Sequence, residues 1–98
     1  MRDSDVFAAL RRARRYKLFE PVRLHFSGDW SRGHLLDLSA TGALGHAVRP
    51  PARGDLVRVE GETLCLTGHV MWAHGKHFGI GFSIALAETT VARIVEGH

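Results

Sequence analysis

The feature that most constrains this chain is an alternation of apolar and polar residues with a period of two, which is the side-chain period of a β-strand. In Val22–Phe26, for example, the three apolar residues alternate with Arg23 and His25. The alternation recurs five more times, and short runs of Gly, Pro, Ser or Asp separate the segments. The predicted strands are Pro21–Phe26, a segment that ends near Leu38, Ala43–Val48, Leu56–Glu60, Thr63–Trp72 and a segment from Phe78 to Ile84.

Six short strands, each with one apolar face, predict a mainly β fold. Such a pattern is typical of a small antiparallel barrel or sandwich. We expect a six-stranded antiparallel barrel, because closure removes the exposed edges that a small open sheet would leave. After the last strand, Ala87, Val91, Ile94 and Val95 are spaced as on one face of a helix. The chain is therefore predicted to end in an amphipathic helix.

The first 20 residues lack the strand pattern. Ser4 or Asp5 is predicted to cap a short helix that runs to about Ala13, and Tyr16–Glu20 is predicted to be a connector. The predicted division is an N-terminal arm over residues 1–20 and a barrel with its helix over residues 21–98, within a single domain.

The same alternation predicts which large side chains lie in the core. Trp72 falls on the same strand face as Leu66 and Val70, and Ile84 ends the apolar face of the sixth strand. Trp30 lies beside a turn and is expected to be partly buried. The strand aromatics expected to face inward are Phe26, Trp72, Phe78 and Phe82.

Length and composition exclude several classes of protein. A chain of 98 residues supports one domain with a small core, so a deep cleft between two lobes is excluded. No apolar stretch approaches the roughly 20 residues of a membrane-spanning helix, and no secretory signal is visible. The single cysteine, Cys65, cannot form an internal disulfide. We therefore expect a cytoplasmic protein.

Positive charge is concentrated near the N-terminus. The first 17 residues hold six Arg and Lys against two Asp and so carry a net charge of +4, whereas the whole chain carries +3. Most of this charge lies in a cluster formed by Arg11, Arg12, Arg14 and Arg15. Such a cluster predicts an anionic partner, which could be a phosphate ligand, nucleic acid or a membrane surface.

The first candidate site is the pair Arg11 and Arg15. A spacing of four residues places two side chains on one face of either a helix or an extended segment. Guanidinium groups form paired hydrogen bonds to phosphate oxygens or to the O6 and N7 atoms of guanine, and they also stack on bases. The same pattern is typical of a solvated basic face or of an RNA-contacting arm.

The second candidate site is formed by Asp37, Ser39 and Gly42, at the end of the second predicted strand. In an extended chain, Asp37 and Ser39 point to the same side. A carboxylate accepts hydrogen bonds from the N–H groups of a guanine, and a hydroxyl donates to phosphate. These residue types also favour a turn, because Asp and Ser bond to nearby backbone and Gly permits a positive φ. A purely structural role therefore stays open.

The two motifs, in this order and followed by a run of barrel strands, resemble the PilZ domain family. The resemblance extends from about Leu10 to Ile84, which is most of the chain. It includes Val70–Trp72 and Phe78–Phe82, which look like the late strands of that family.

The resemblance implies a bacterial, cytosolic receptor for the second messenger cyclic di-GMP, built on a six-stranded barrel with a C-terminal helix. In that family the arginine motif lies on a flexible segment before the first strand and closes over the ligand. By this resemblance, Arg11 and Arg15 would contact the guanines and phosphates. Asp37 and Ser39 would meet the ligand from the barrel surface, and Gly42 would let the loop come close.

The residues around the arginine motif bear on how many ligands bind. Family members often have an extra arginine directly before the motif, which favours a bound ligand dimer. Leu10 occupies that position here, so the resemblance implies a single bound ligand. Arg12 and Arg14 lie outside the motif and are additional candidates for ligand contacts.

We therefore predict a receptor without catalytic activity that changes conformation when cyclic di-GMP binds and signals to an unidentified partner protein. The ligand is the only small molecule expected, with no cofactor. Two alternatives stay open. One is a small barrel that binds single-stranded nucleic acid, although the inward positions predicted for the strand aromatics weigh against it. The other is a PilZ-like adaptor that binds protein but no nucleotide.

The seven histidines of the chain invite a metal hypothesis. His69, His74 and His77 are close in sequence, and a zinc site commonly needs three or four converging ligands. Nothing in the spacing of these three forces them to converge. We therefore expect surface histidines and no metal site.

Overall fold

Antiparallel strand pairing organises residues 14–97, which are the residues that the computed structural model describes. The elements are β1 (Tyr16–Phe26), β2 (Asp29–Leu38), β3 (Gly42–Ala47), β4 (Leu56–Gly61), β5 (Cys65–His74), β6 (His77–Phe82) and the helix α1 (Glu88–Glu96). The strands form a closed barrel in the order β1-β2-β3-β6-β5-β4, in which β4 pairs with β1. The predicted six-stranded antiparallel barrel with a C-terminal helix is confirmed.

The interior of the barrel follows from the period-two alternation. On β4, Val57 and Val59 are buried, whereas Leu56, Arg58 and Glu60 are exposed. Burying an aliphatic or aromatic side chain contributes roughly 1.5–3 kcal/mol relative to leaving it in water, so one face of each strand is strongly selected. On α1, Val91 and Ile94 are buried in the same cluster as the barrel residues, as the helical spacing predicts.

The largest fully buried side chain is that of Phe78 on β6. Its ring lies against Gly45 on the neighbouring strand β3, and a Cβ atom at Gly45 would overlap the ring. The absence of a side chain at Gly45 therefore makes the space that the phenyl ring fills. Of the other aromatics predicted to face inward, Phe26 and Phe82 are partly buried and pack against the core.

The segment Tyr16–Glu20, predicted to be a connector, is the first half of β1. The prediction was wrong because Phe19 and Glu20 invert the expected polarity: Phe19 is exposed and Glu20 is buried. An irregularity in the pairing with β2 lies between Lys17 and Glu20, where β1 carries one extra residue. Phe19 then lies outside the barrel and stacks on His34, with ring centroids 4.2 Å apart.

Two residues predicted to face inward are exposed. Ile84 is 82% exposed because β6 ends at Phe82, so the alternation does not extend to it. Trp72 is 45% exposed because β5 carries an extra residue between Val70 and Trp72, which shifts its register against β6. Trp30, expected to be partly buried beside its turn, is 42% exposed.

The helix predicted between Ser4 and Ala13 lies outside the described residues. Within residues 14–97, no helix is long and apolar enough to cross a membrane. Cys65 is a free, exposed thiol.

Phe78 and Ile84 are predicted to respond very differently to truncation. Phe78→Ala should lower the free energy of unfolding by about 3–5 kcal/mol, because it removes a fully buried ring and leaves a cavity. Ile84→Ala, the matched control, should change it by less than about 0.5 kcal/mol. Urea denaturation followed by circular dichroism measures both values, and similar losses in the two variants would contradict the described end of β6.

Candidate ligand-binding groove

An ion pair joins the two sequence motifs across the fold. Arg15 Nη1 donates a hydrogen bond to Asp37 Oδ1 over 2.9 Å, although the two residues are 22 positions apart. The Arg15 side chain is 61% exposed and that of Asp37 is 14% exposed. An exposed pair of this kind contributes at most about 1 kcal/mol to stability. The ion pair is therefore notable for its position, because it holds the Arg15 guanidinium group at the edge of a surface groove.

The Asp37 carboxylate is positioned by an irregularity in β2. Between Leu35 and Asp37, β2 carries one extra residue relative to β3. At this point the backbone N–H of Leu44 donates to Asp37 Oδ1 over 3.1 Å. Both of these hydrogen bonds to the carboxylate use Oδ1.

Ser39 is 1% exposed and organises the loop between β2 and β3. Its Oγ accepts hydrogen bonds from the backbone N–H groups of Thr41 and Gly42, each over 3.2 Å. The Ser39 backbone N–H in turn donates to the Gly42 carbonyl over 2.8 Å. The side chains of Ser39 and Asp37 therefore do not point to the same side, contrary to the prediction from the sequence, because β2 ends at Leu38. The hydroxyl shapes the loop from within.

Gly42 has a packing role that the sequence did not reveal. A Cβ atom there would overlap the carbonyl oxygen of Ile80 on β6. Gly42 also pairs directly with Gly81 at the β3–β6 contact. The two strands can therefore approach at this end only because position 42 carries no side chain.

A groove of about 500 Å³ lies beside the ion pair, on the outer surface of β3, β6 and the end of β5. We call it the ligand groove; its lining residues used below are Arg15, Asp37, Leu44, Met71, Trp72 and Gly79. Its volume lies in the range typical of small-molecule pockets. The groove thus combines a cation, a carboxylate and an apolar wall.

Met71 and Trp72 form the apolar wall, and neither was identified from the sequence. Each lies over a glycine of β6: a Cβ atom at Gly79 would overlap the Trp72 indole, and one at Gly81 would lie 3.0 Å from the Met71 Cγ. Alternation had assigned Trp72 to the core. The glycines that alternate with Phe78, Ile80 and Phe82 could have indicated the outward position of Met71 and Trp72. A strand with glycines on its outer face leaves space there that large side chains from the neighbouring strand can cover.

A second groove, of about 570 Å³, lies on β1, β2 and β4. It is lined by Arg23 and Arg32 but also by Glu60 and Glu62, and it contains no residue of either motif. The two carboxylates make it a poorer site for an anion than the ligand groove, despite its slightly larger volume.

Three further arginines were candidates for ligand contacts. Two of them, Arg11 and Arg12, lie outside the described residues. Arg14 is exposed, and its guanidinium carbon lies 5.2 Å from the centre of the Tyr16 ring. Among residues 14–97, no three His, Cys, Asp or Glu side chains are grouped so that they could hold a metal ion.

Comparison with known proteins adds a family to this geometry. The family model described as PilZ domain matches residues 9–97. The chain belongs to the PilZ domain family. No curated protein matches the chain. PilZ domains are binding and adaptor domains and are not a known enzyme family.

Within this PilZ domain, the structure brings Arg15 of the first motif to Asp37 of the second. It also places the Ser39–Gly42 loop at the end of the same groove through Thr41 and Gly42. Two further hydrogen bonds anchor the loop: the Phe82 N–H donates to the Thr41 carbonyl over 2.9 Å, and the Leu86 N–H donates to the Ala40 carbonyl over 2.7 Å. The loop is therefore hydrogen-bonded to the end of β6 and to the segment that follows it.

Ser39→Ala is predicted to destabilise the PilZ domain by about 1–3 kcal/mol, because it leaves the N–H groups of Thr41 and Gly42 without their acceptor. Ser83→Ala, at an exposed position, is the matched control and should be close to neutral. Thermal and urea unfolding measure the difference. A neutral Ser39→Ala variant would show that the hydroxyl does not hold the loop.

Proposed function

We propose that this PilZ domain is a cytoplasmic bacterial receptor for cyclic di-GMP. The observation that supports the proposal most directly is the Arg15–Asp37 contact inside a groove of suitable size. The family supports it independently, since PilZ domains are a family of cyclic di-GMP-binding adaptors. The match covers residues 9–97 and so includes both motifs.

The chemistry of the groove suits the ligand. Cyclic di-GMP carries two phosphates and two guanines in a compact ring. The Arg15 guanidinium can form paired, charge-assisted hydrogen bonds to a phosphate or to a guanine edge. The Asp37 carboxylate can accept from the N–H groups of a guanine. Arg15 would exchange part of its contact with Asp37 for contacts with the ligand.

The apolar wall suits the ligand as well. Trp72 is 45% exposed, and its indole covers Gly79, so the exposed part of the ring is available to a guanine. Stacking of a base on an aromatic side chain contributes roughly 1–3 kcal/mol. We propose that Trp72 supports a guanine by stacking and that Met71 closes the wall beside it.

The signal is proposed to be a conformational change of the N-terminal arm. Arg15 directly precedes β1, so a ligand bound at Arg15 also reaches the segment that carries Arg11 and Arg12. We propose that this segment closes over the ligand and that the partner protein reads the change. The receptor has no catalytic role in this proposal, because the described residues that line the groove offer binding groups and no activated nucleophile.

Removing either member of the ion pair should weaken ligand binding. Arg15→Ala and Asp37→Ala are each expected to raise the Kd for cyclic di-GMP at least tenfold, which corresponds to about 1.4 kcal/mol. Arg23→Ala, on the opposite part of the barrel wall, is the control and should leave the Kd within about twofold. Isothermal titration calorimetry measures all three. Unchanged affinity in both ion-pair variants would remove these residues from the site.

The same titration separates the proposed receptor from the two alternatives. Cyclic di-GMP, GTP and a short oligonucleotide are each titrated into the wild-type protein. Selective binding of cyclic di-GMP supports the proposal. Binding with a steep salt dependence and no nucleotide preference would instead indicate a nucleic-acid-binding barrel, and no binding at all would indicate an adaptor without nucleotide.

Amide hydrogen exchange tests the proposed conformational change. Exchange in residues 8–20 should slow when cyclic di-GMP is added, because an arm that closes over the ligand gains hydrogen-bonded or excluded amides. Exchange in β4, which does not line the ligand groove, is the internal control and should change little. Equal protection of residues 8–20 with and without ligand would contradict the switch while leaving ligand binding intact.

A further inference from the structure

Four of the seven histidines stand side by side on four adjacent strands. His34 on β2 pairs with His46 on β3, His46 pairs with His77 on β6, and His77 pairs with His74 on β5. Side chains of residues that are directly opposite in neighbouring strands lie on the same face of the sheet. These four residues, which we call the histidine row, therefore form a continuous band across the outer surface of the barrel.

The side-chain geometry agrees with this register. The rings of His46 and His77 lie edge to face, with centroids 5.0 Å apart. His34 stacks on Phe19 at the β1 end of the row. His74 and His77 are exposed, and His34 and His46 are partly buried, so the whole band is open to solvent or to a bound ligand.

The histidine row borders the ligand groove. Leu44 and Gly79 line the groove, and each lies two residues from a member of the row on the same strand, namely His46 and His77. Residues two apart on a strand share a face and are separated by about 7 Å. This distance is shorter than the screening length of roughly 8 Å at physiological ionic strength. A charge on His46 or His77 therefore lies within about one screening length of the part of the groove that Leu44 and Gly79 line.

Imidazole is the side chain whose charge ordinarily changes between about pH 5 and 8. Charged imidazoles placed side by side repel one another, whereas a neighbouring anion favours their charged form. A ligand with two phosphates in the groove would supply that anion. Binding would then be coupled to the uptake of protons, and affinity would increase as the pH falls.

We propose that the histidine row is a proton-dependent extension of the ligand groove that strengthens the binding of a phosphate-bearing ligand at mildly acidic pH. This inference rests on the proposed function. It adds to that function a dependence of the signal on pH, carried by residues outside both sequence motifs.

Other charged groups lie near the row, and His34 also lines the second groove together with Arg23, Glu60 and Glu62. Lys76 lies in the hairpin that joins His74 to His77, and Arg32 lies two residues from His34 on β2. Arg15 and Asp37 lie on the groove side, and β1 presents the uncharged Pro21 opposite His34. Among residues 14–97, His69 on β5 is the other imidazole near the groove, since it pairs with Gly81. The histidine-to-glutamine variants below are what assign a change in affinity between about pH 6 and 8 to histidine.

Calorimetric titration with cyclic di-GMP tests the inference. It is carried out at about pH 6 and about pH 8, at constant ionic strength, with EDTA present, and in two buffers that differ in ionisation enthalpy. The wild-type protein should bind about three- to tenfold more tightly at the lower pH, with net proton uptake. The double variant H46Q/H77Q should lose both the gain and the proton uptake, while its affinity at about pH 8 should stay within about twofold of wild type.

Three further variants complete the experiment: a control, a substitute for the first double variant, and a variant of the histidine outside the row. H25Q is the control, because His25 lies on β1 and bonds to Glu60 on β4, away from the groove; it should keep the full gain. H74Q/H77Q replaces two exposed residues and substitutes for the first double variant if that variant folds poorly. H69Q measures the share of the one imidazole near the groove that lies outside the row.

Each outcome decides between the two proposals. Binding of equal strength at both pH values, or a gain that persists in H46Q/H77Q and H74Q/H77Q, would overturn the histidine row and leave the proposed receptor function intact. A gain seen only when EDTA is omitted would assign the row to metal binding and also overturn the inference. No binding of cyclic di-GMP at either pH would overturn both proposals.

Discussion

Closure of the barrel through β1 is the constraint on which the rest of the structure depends. β1 is an 11-residue strand that pairs with β2 along its length and with β4 in its second half. Because the first half of β1 pairs with β2, with Tyr16 opposite Leu38 and Lys17 opposite Asp37, Arg15 is brought near the end of β2. The ion pair between Arg15 and Asp37 is a consequence of that pairing, and it contributes little to stability by itself.

Irregularities in the strand pairing determine where several exposed side chains of the barrel lie. One extra residue in β1 turns Phe19 outward, one in β2 frees the Leu44 amide to bond to Asp37, and one in β5 exposes Trp72. Bulges of this kind redirect side chains and are frequent beside binding sites. In a regular barrel, Trp72 would lie inside and the ligand groove would lose its aromatic wall.

The two grooves on the outer surface of the barrel differ in the charges of the residues that line them. The ligand groove combines Arg15 with a single partly buried carboxylate, and the histidine row lies along its border. The groove on β1, β2 and β4 mixes two arginines with two glutamates. An anionic ligand is therefore favoured in the ligand groove.

The sequence by itself determined the number of strands, the C-terminal helix and most of the core. The reason is that the period-two alternation of apolar and polar residues is local and can be recognised without knowing which strands pair. The sequence also identified the two motifs, but each pattern was consistent with a purely structural role as well. It could not place Trp72, Phe19 or the histidine row, because these depend on which residues face one another across strands. A single extra residue reverses the face on which a side chain lies, and that register is decided only when the barrel closes.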